Sequence, residues 1–296
     1  MASETALSRT LTGEAPRRTR PRQLFIRKFL RSRLAPVAGL FLIVISLAAV
    51  FAPVVATHDP NYVDIRARHD PPSSAHLLGT DESGRDVFSR LVFGARASLG
   101  VGFIAMTISI LIGTIVGGLA GFFGKWTESV LMRLTDGMLA IPTFFLVLIV
   151  VAVFGTDFIN IVLVIGLTSW MVVARVVRGE VLKYKVYDFV TAAEAMGASK
   201  MRLLWRHILP HAIPSIIVAA SLGVANAILI ESALSYLGLG IMPPSPSWGN
   251  MLSNAQAYMW ENPTLPFYPG LMILLSVLCF NFLGDALRDA LDPQSR

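Results

Sequence analysis

An all-α integral membrane fold with six spanning helices is what this sequence predicts, and three observations predict it. Hydrophobic residues make up 54% of the chain and charged residues only 15%, against about 25% charged in soluble globular domains. The mean hydropathy is +0.63. The apolar residues also gather into runs near the roughly 20 that carry a helix across a bilayer, whereas outer-membrane barrel strands would alternate over about 10.

Taken in order, residues 1–34 form a basic tail with Arg9, Arg17, Arg18, Arg20, Arg22, Arg27, Lys28, Arg31 and Arg33 against Glu4 and Glu14. The positive-inside rule keeps such a tail in the cytoplasm. The first span, 35–56, is longer than the apolar core of a secretory signal and lacks a small-residue cleavage site, so it is read as retained. An extracytoplasmic loop follows at 57–96, and the transmembrane domain proper at 97–296. Within it the spans are 97–122, 130–154, 158–177, 212–234 and 268–283. An even number of spans puts both termini on the same side, the cytoplasm.

Charge supports this topology. The inner stretch 178–206 carries Arg178, Lys183, Lys185, Lys200, Arg202 and Arg206, while the outer stretch 241–267 has no basic residue and only Glu261 as an acid. One loop resists the rule: 57–96 should lie outside yet holds Arg66, Arg68, Arg85, Arg90 and Arg96. The net charge of +6 resides in segments that would face anionic lipid headgroups, so no nucleic-acid partner is implied.

Several chemistries are missing from the pattern. Gly124-Lys125 is followed by Trp126, and Leu119 stands where a phosphate-binding loop needs its first glycine, so no nucleotide cradle is encoded. The histidines His58, His69, His76, His207 and His211 never form H-E-x-x-H, and no G-x-S-x-G occurs. Cys279 is the only cysteine and can make neither an internal disulfide nor a cysteine-based cluster. The reading assigns no catalytic residue, no metal ligand and no cofactor to this chain.

Between the fourth and fifth spans lies a polar island, 186–210. Asp188 is placed to cap a short helix from Phe189, Gly197 to end it, and Ser199 to cap a second helix over 200–208. Pro210 and Pro214 then mark a break and a restart into the fifth span. Small side chains at Ala192, Ala193 and Ala195 allow another backbone to approach closely.

Thr191-Ala192-Ala193-Glu194-Ala195-Met196-Gly197, followed after nine residues by His207-Ile208-Leu209-Pro210, resembles the E-A-A-x-x-x-G-x9-I-x-L-P signature of permease subunits of binding-protein-dependent ABC importers. Thr191 replaces the usual glutamate and His207 the usual isoleucine. The resemblance implies the type I permease fold and a cytoplasmic coupling helix seated in an ATPase subunit. Coupling would then fall to Thr191, Ala192, Ala193, Glu194, Gly197, His207, Leu209 and Pro210.

Further segments resemble the dipeptide/oligopeptide branch, C-type subunit. They are the runs from Leu78 to Arg90, from Gly94 to Gly102 and from Leu234 to Gly240, Pro246-Ser247-Trp248-Gly249, and the run from Asn281 to Asp289 with Leu291-Asp292-Pro293. The resemblance implies a second permease chain, two P-loop ATPase subunits or one fused pair that bind ATP and Mg, and an extracytoplasmic binding protein. Peptides are the implied cargo, with nickel, glutathione and oligosaccharides carried by related systems.

Other polar residues have two readings each. Asp81, Arg85, Asp86 and Trp248 are either outer docking residues or partners in local salt bridges, caps and interface packing. Asp136, Asn226 and Glu231, inside spans, either line a translocation path or pack between helices. Gly113, Gly117 and Gly121 make a flat strip for close helix packing, and Pro142 is a candidate kink. Two rival functions are weighed. An ion-coupled secondary transporter would want midplane carboxylates and an internal repeat. An intramembrane hydrolase would want a nucleophile–base pair at membrane depth.

Overall fold

The computed structural model describes Ser32 and residues 34–291, and every regular element among them is helical. The cytoplasmic placement of the basic tail, apart from Ser32 and Leu34, lies outside the described residues, as do Asp292 and Pro293.

Helix α1 (Ala35–Val50) begins on a first-turn proline, which lacks an N–H where none is needed. Its small residues Ala38 and Ala49, with Leu42, face inward, while Val37, Leu40 and Ile43 are exposed on the other side. A short helix, α2 (Ala52–Val55), completes the first apolar run.

Helix α3 (Val87–Phe123) starts ten residues before the expected span at 97. The physical reason is local: the Asp86 carboxylate accepts a hydrogen bond from the Ser89 amide at 2.8 Å, and Leu91, Val92 and Ala95 are buried, so the polar-looking lead-in is a capped helical turn.

The expected third span, 130–154, is bent sharply at Pro142, the candidate kink. It is two helices, α4 (Lys125–Leu139) and α5 (Thr143–Phe154), that meet at 81°. Pro142 cannot extend a helix from the preceding residues, and α4 carries Lys125, Glu128, Arg133 and Asp136, which favour a wet surface over a span. Two ion pairs tie α4 to α6 (Phe158–Tyr184): Asp136 to Arg175 at 2.6 Å and Glu128 to Arg178, whose Nε donates at 2.7 Å.

After α6 come α7 (Asp188–Ala195), the single turn α8 (Lys200–Arg202), a π-helical turn (Leu203–Ile208) and α9 (Leu209–Tyr236). The expected break at Pro210 is absent. From Lys200 to Tyr236 the chain is one helical rod of 37 residues. The π turn explains this: the Leu209 amide reaches back to the Leu204 carbonyl, so the ladder has already left α register where the proline ring would clash. Helix α10 (Trp248–Gln256) is short and capped reciprocally by Ser247 and Asn250, and α11 (Thr264–Leu291) closes the fold.

Among the described residues, four helices are long and apolar enough to cross a membrane: α3, α6, the rod containing α9, and α11. The α4–α5 pair passes only as a bent unit, and α1 is a shorter apolar helix. The six expected spans thus map onto four through-helices, one bent pair and one 16-residue helix.

The most extensive pairing is α3 with α6. A Cβ on Gly117 would stand 2.3 Å from the Ala174 carbonyl oxygen, one on Gly113 2.6 Å from Val173 Cβ, and one on Gly121 2.9 Å from the Arg178 carbonyl oxygen. These contacts are closer than any side chain permits, so the glycine strip sets the separation of the two backbones.

Candidate functional site

The polar island forms a surface anchored from below. In α7, Val190 and Ala193 are buried against Leu203, Leu204 and Ile208 of the π turn and Val181 of α6. With that face committed, Thr191, Ala192 and Glu194 are exposed, as are Met196 and Gly197 just beyond the helix. Tyr187 occupies the helix's N-cap position and Asp188 lies inside the first turn without a capping bond, which differs from the expected Asp188 cap. Ser199 does occupy the N-cap position of α8, but its side chain makes no capping hydrogen bond.

Gly197 ends α7 at φ +86°. Its amide donates to Glu194 O at 2.9 Å and that of Ala198 to Ala193 O at 3.1 Å, the paired bonds of a Schellman turn. Of the expected coupling residues, Thr191, Ala192, Glu194, Gly197 and Pro210 are exposed, His207 is half-buried, and Ala193 and Leu209 are buried supports. Sequence reasoning passed over the aromatic edge beside them. The His211 ring lies 4.9 Å from that of Phe189 and 5.2 Å from that of Tyr184.

A cavity of about 880 Å³ runs between α6 and α9 from mid-helix to this same end. Asn226, Thr168 and Met106 line its deep part; Arg175, Glu180, Lys183 and Arg288 line the part near the island. Of the three candidate path residues, Asn226 lines this cavity. Asp136 does not, although its partner Arg175 does.

Glu231 is also off the cavity, completely buried at the opposite end of α9. Its Oε2 accepts from the Ser98 hydroxyl at 2.9 Å and its Oε1 from that of Ser235 at 2.7 Å. The Ser98 oxygen in turn accepts from the Trp248 amide at 3.3 Å, and the Trp248 indole donates to Leu91 O at 3.1 Å. One carboxylate therefore knots α3, α9 and the start of α10. Replacing it with alanine strands these hydroxyls in an apolar interior at about 1–3 kcal/mol for each group left unpaired. Glu231→Ala is expected to lower the unfolding temperature in detergent clearly more than Glu231→Gln, which retains an acceptor; equal shifts would show that the knot contributes little.

The loop 57–86 is similarly self-contained. Arg85 donates to Asp81 at 2.7 Å and to Glu82 at 2.6 Å, and Arg90 approaches Asp81 at 3.4 Å. Two of the arginines that strained the charge rule are thus held by carboxylates. Burial pushes the Asp86 carboxyl up, but hydrogen bonding from Ser89 and His76 outweighs it and holds the group below the usual aspartate range. Asp81, Arg85, Asp86 and Trp248 are all buried, and their contacts are those of the salt-bridge, capping and packing reading, not of an exposed docking surface.

Helices of membrane length around a cavity, joined to an exposed island at one end, define a multi-pass membrane protein. The chain belongs to the family described as binding-protein-dependent transport system inner membrane component, which matches residues 98–296, and residues 20–72 match the N-terminal TM domain of oligopeptide transport permease C. It is 41% identical over 275 residues to the glutathione transport system permease protein GsiD of Pectobacterium atrosepticum, covering 93% of this chain and 91% of that one. With the dipeptide transport system permease protein DppC of Alkalihalophilus pseudofirmus it shares 39% identity over 266 residues, 90% and 88% of the two chains. The fold is shared with the inward-facing MetNI methionine ABC transporter at a TM-score of 0.56 and 19% identity, covering 68% of this chain and 96% of that one.

Proposed function

We propose that this chain is one of two permease subunits of an ATP-driven importer and that its cargo is a small peptide or glutathione-like molecule. The observation that carries the reading is the continuity of the island with the cavity: one unbroken rod holds His207 and Pro210 at one end and Asn226 in the cavity wall. ATP and Mg are bound by partner ATPase subunits, on which α7 and the π turn dock. Closure of that ATPase pair displaces the island and shifts the helices between inward-open and outward-open states, each stabilised by its own contacts. Both termini lie in the cytoplasm, and a binding protein delivers cargo from the other side. With Arg175 paired to Asp136 and Lys183 3.8 Å from Glu180, Arg288 adds a further positive charge at the cavity's island end, which suits cargo carrying a carboxylate.

Two experiments test this. The tagged chain, recovered from its native membrane in mild detergent, is expected to bring down a P-loop ATPase and a second permease in matching amounts; recovery of the chain alone would sink the proposal. For the path, a cysteine at Asn226 is expected to react with a thiol reagent supplied from the cytoplasmic side, and one at Glu231 to stay protected. Equal protection of the two would remove Asn226 from the path.

A further inference from the structure

Three residues that the permease reading leaves unused converge where the outer loop meets the start of α3. His58 follows the first apolar run, His76 lies near the loop's far end, and Asp86 caps α3. The ligand-capable atoms of all three lie within 4.8 Å of one another. Asp86 Oδ1 is 2.9 Å from His76 Nδ1 and 3.8 Å from His58 Nδ1, and the two imidazoles stack with centroids 4.6 Å apart.

The division of labour on Asp86 is what makes the cluster a site. Its Oδ2 is committed to the helix, accepting from the Ser89 amide at 2.8 Å and from the Thr57 hydroxyl at 3.3 Å. Its Oδ1 is left facing the two rings. The carboxylate is buried, with 1% of its side chain exposed, while His76 and His58 are 22% and 38% exposed. A fixed anion at the bottom and two reachable imidazoles at the mouth give an ion a way in. The frame is held from outside the ligand set as well, since the Ser89 hydroxyl accepts from the His58 backbone amide at 3.0 Å.

We propose that His58, His76 and Asp86 form an extracytoplasmic site for a divalent first-row transition cation of the zinc class, which clamps the segment after α1 to the first turn of α3. Two imidazoles and one carboxylate are the donor set such ions accept, with water or a neighbouring hydroxyl completing the shell. A hard cation such as calcium would want six or more oxygens, and imidazole nitrogens do not supply them. The clamp joins parts of the chain 28 residues apart, from His58 to Asp86, so the ion would add a further tie to those that Thr57 and the His58 amide already make to the start of α3. The pattern H-x17-H-x9-D matches no compact metal motif, so only the fold reveals it.

The test uses the assembled complex in lipid nanodiscs, purified with a tag that contains no histidine, and zinc alone as the probe in titration calorimetry. One zinc per chain is expected, weakened at least about tenfold by His58→Gln or by His76→Gln and unaffected by His207→Gln. The exposed His58 position keeps the test valid if the His76 variant misfolds. Cobalt serves as a second probe: His58→Cys is expected to add a thiolate-to-cobalt charge-transfer band absent from the parent. No zinc binding below about 100 µM in the parent complex, binding undiminished in His58→Gln, or a missing charge-transfer band in His58→Cys would each overturn the assignment.

Discussion

Replacing Gly197 with tryptophan is expected to lower cargo uptake by about tenfold or more while leaving membrane insertion intact, with ATP hydrolysis by the partner subunits no longer tied to transport. A tenfold loss of rate corresponds to about 1.4 kcal/mol in the barrier to transport. Two contributions can be separated because nothing lies within 4 Å of a Cβ built on Gly197. At φ +86° any side chain incurs backbone strain of roughly 1–2 kcal/mol, whatever its size. Bulk adds an effect only if something approaches that surface from outside the chain. Gly197→Ala therefore reports the strain alone and Gly197→Trp the strain plus obstruction. Reconstituted uptake and ATPase rates, measured side by side, should show tryptophan far more damaging than alanine. If the two variants behave alike, Gly197 serves the turn and not a docked partner; if uptake is unchanged in both, the docking reading of α7 fails.

The largest structural effect is expected at Gly117. The methyl group of alanine there would stand 2.3 Å from a carbonyl oxygen and 3.0 Å from two more backbone atoms of Ala174, none of which can rotate away. Overpacking usually costs about 1–3 kcal/mol when side chains can adjust. Here α3 and α6 must separate, so the upper end of that range is the minimum expected. At roughly 2–4 °C per kcal/mol for a domain of 150–250 residues, Gly117→Ala should lower the unfolding temperature by several degrees or prevent accumulation of the chain. Gly118→Ala is the control, since its nearest neighbours are Leu204 and Leu209 methyl groups at 3.8 Å, an ordinary contact. Equal stability of the two variants would show that the strip does not set the helix separation.

Much of this architecture is legible in the sequence because membrane length and small-residue spacing are local properties. The apolar runs locate the spans, and Gly113, Gly117 and Gly121 repeat at the interval that puts them on one helix face. Gly197 is likewise readable as a stop, since a glycine after alanine-rich helix invites a left-handed turn. Where the reading differs from the structure, the deciding contact is distant or geometric. Pro142 is readable as a kink, but the 81° of the bend and the pairing of α4 with Arg175 and Arg178 of a helix far along the chain are not. Pro210 looks like a break because its ring should end a helix; the π turn before it depends on backbone register, which side-chain pattern does not encode. Glu231 sits at a plausible path position, and only the arrival of Ser98 from α3 turns it inward. The histidine pair is invisible for the same reason, since the loop must fold back before His58 meets His76.

The unbroken rod from Lys200 to Tyr236 has a mechanical consequence. At 1.5 Å per residue, its 37 residues extend about 55 Å. Near one end Glu231 pins it to α3; at the other lies the island, where the proposed ATPase partner would push. Such a rod is a lever with its fulcrum close to Glu231. A tilt of about 5° would swing Lys200, 31 residues away, through about 4 Å, yet shift Asn226, five residues away, by less than about 1 Å. Under the proposed coupling the cavity would open and shut chiefly at its island end while its deep floor stays almost still, so a bound molecule would feel its exit change before its binding surface does.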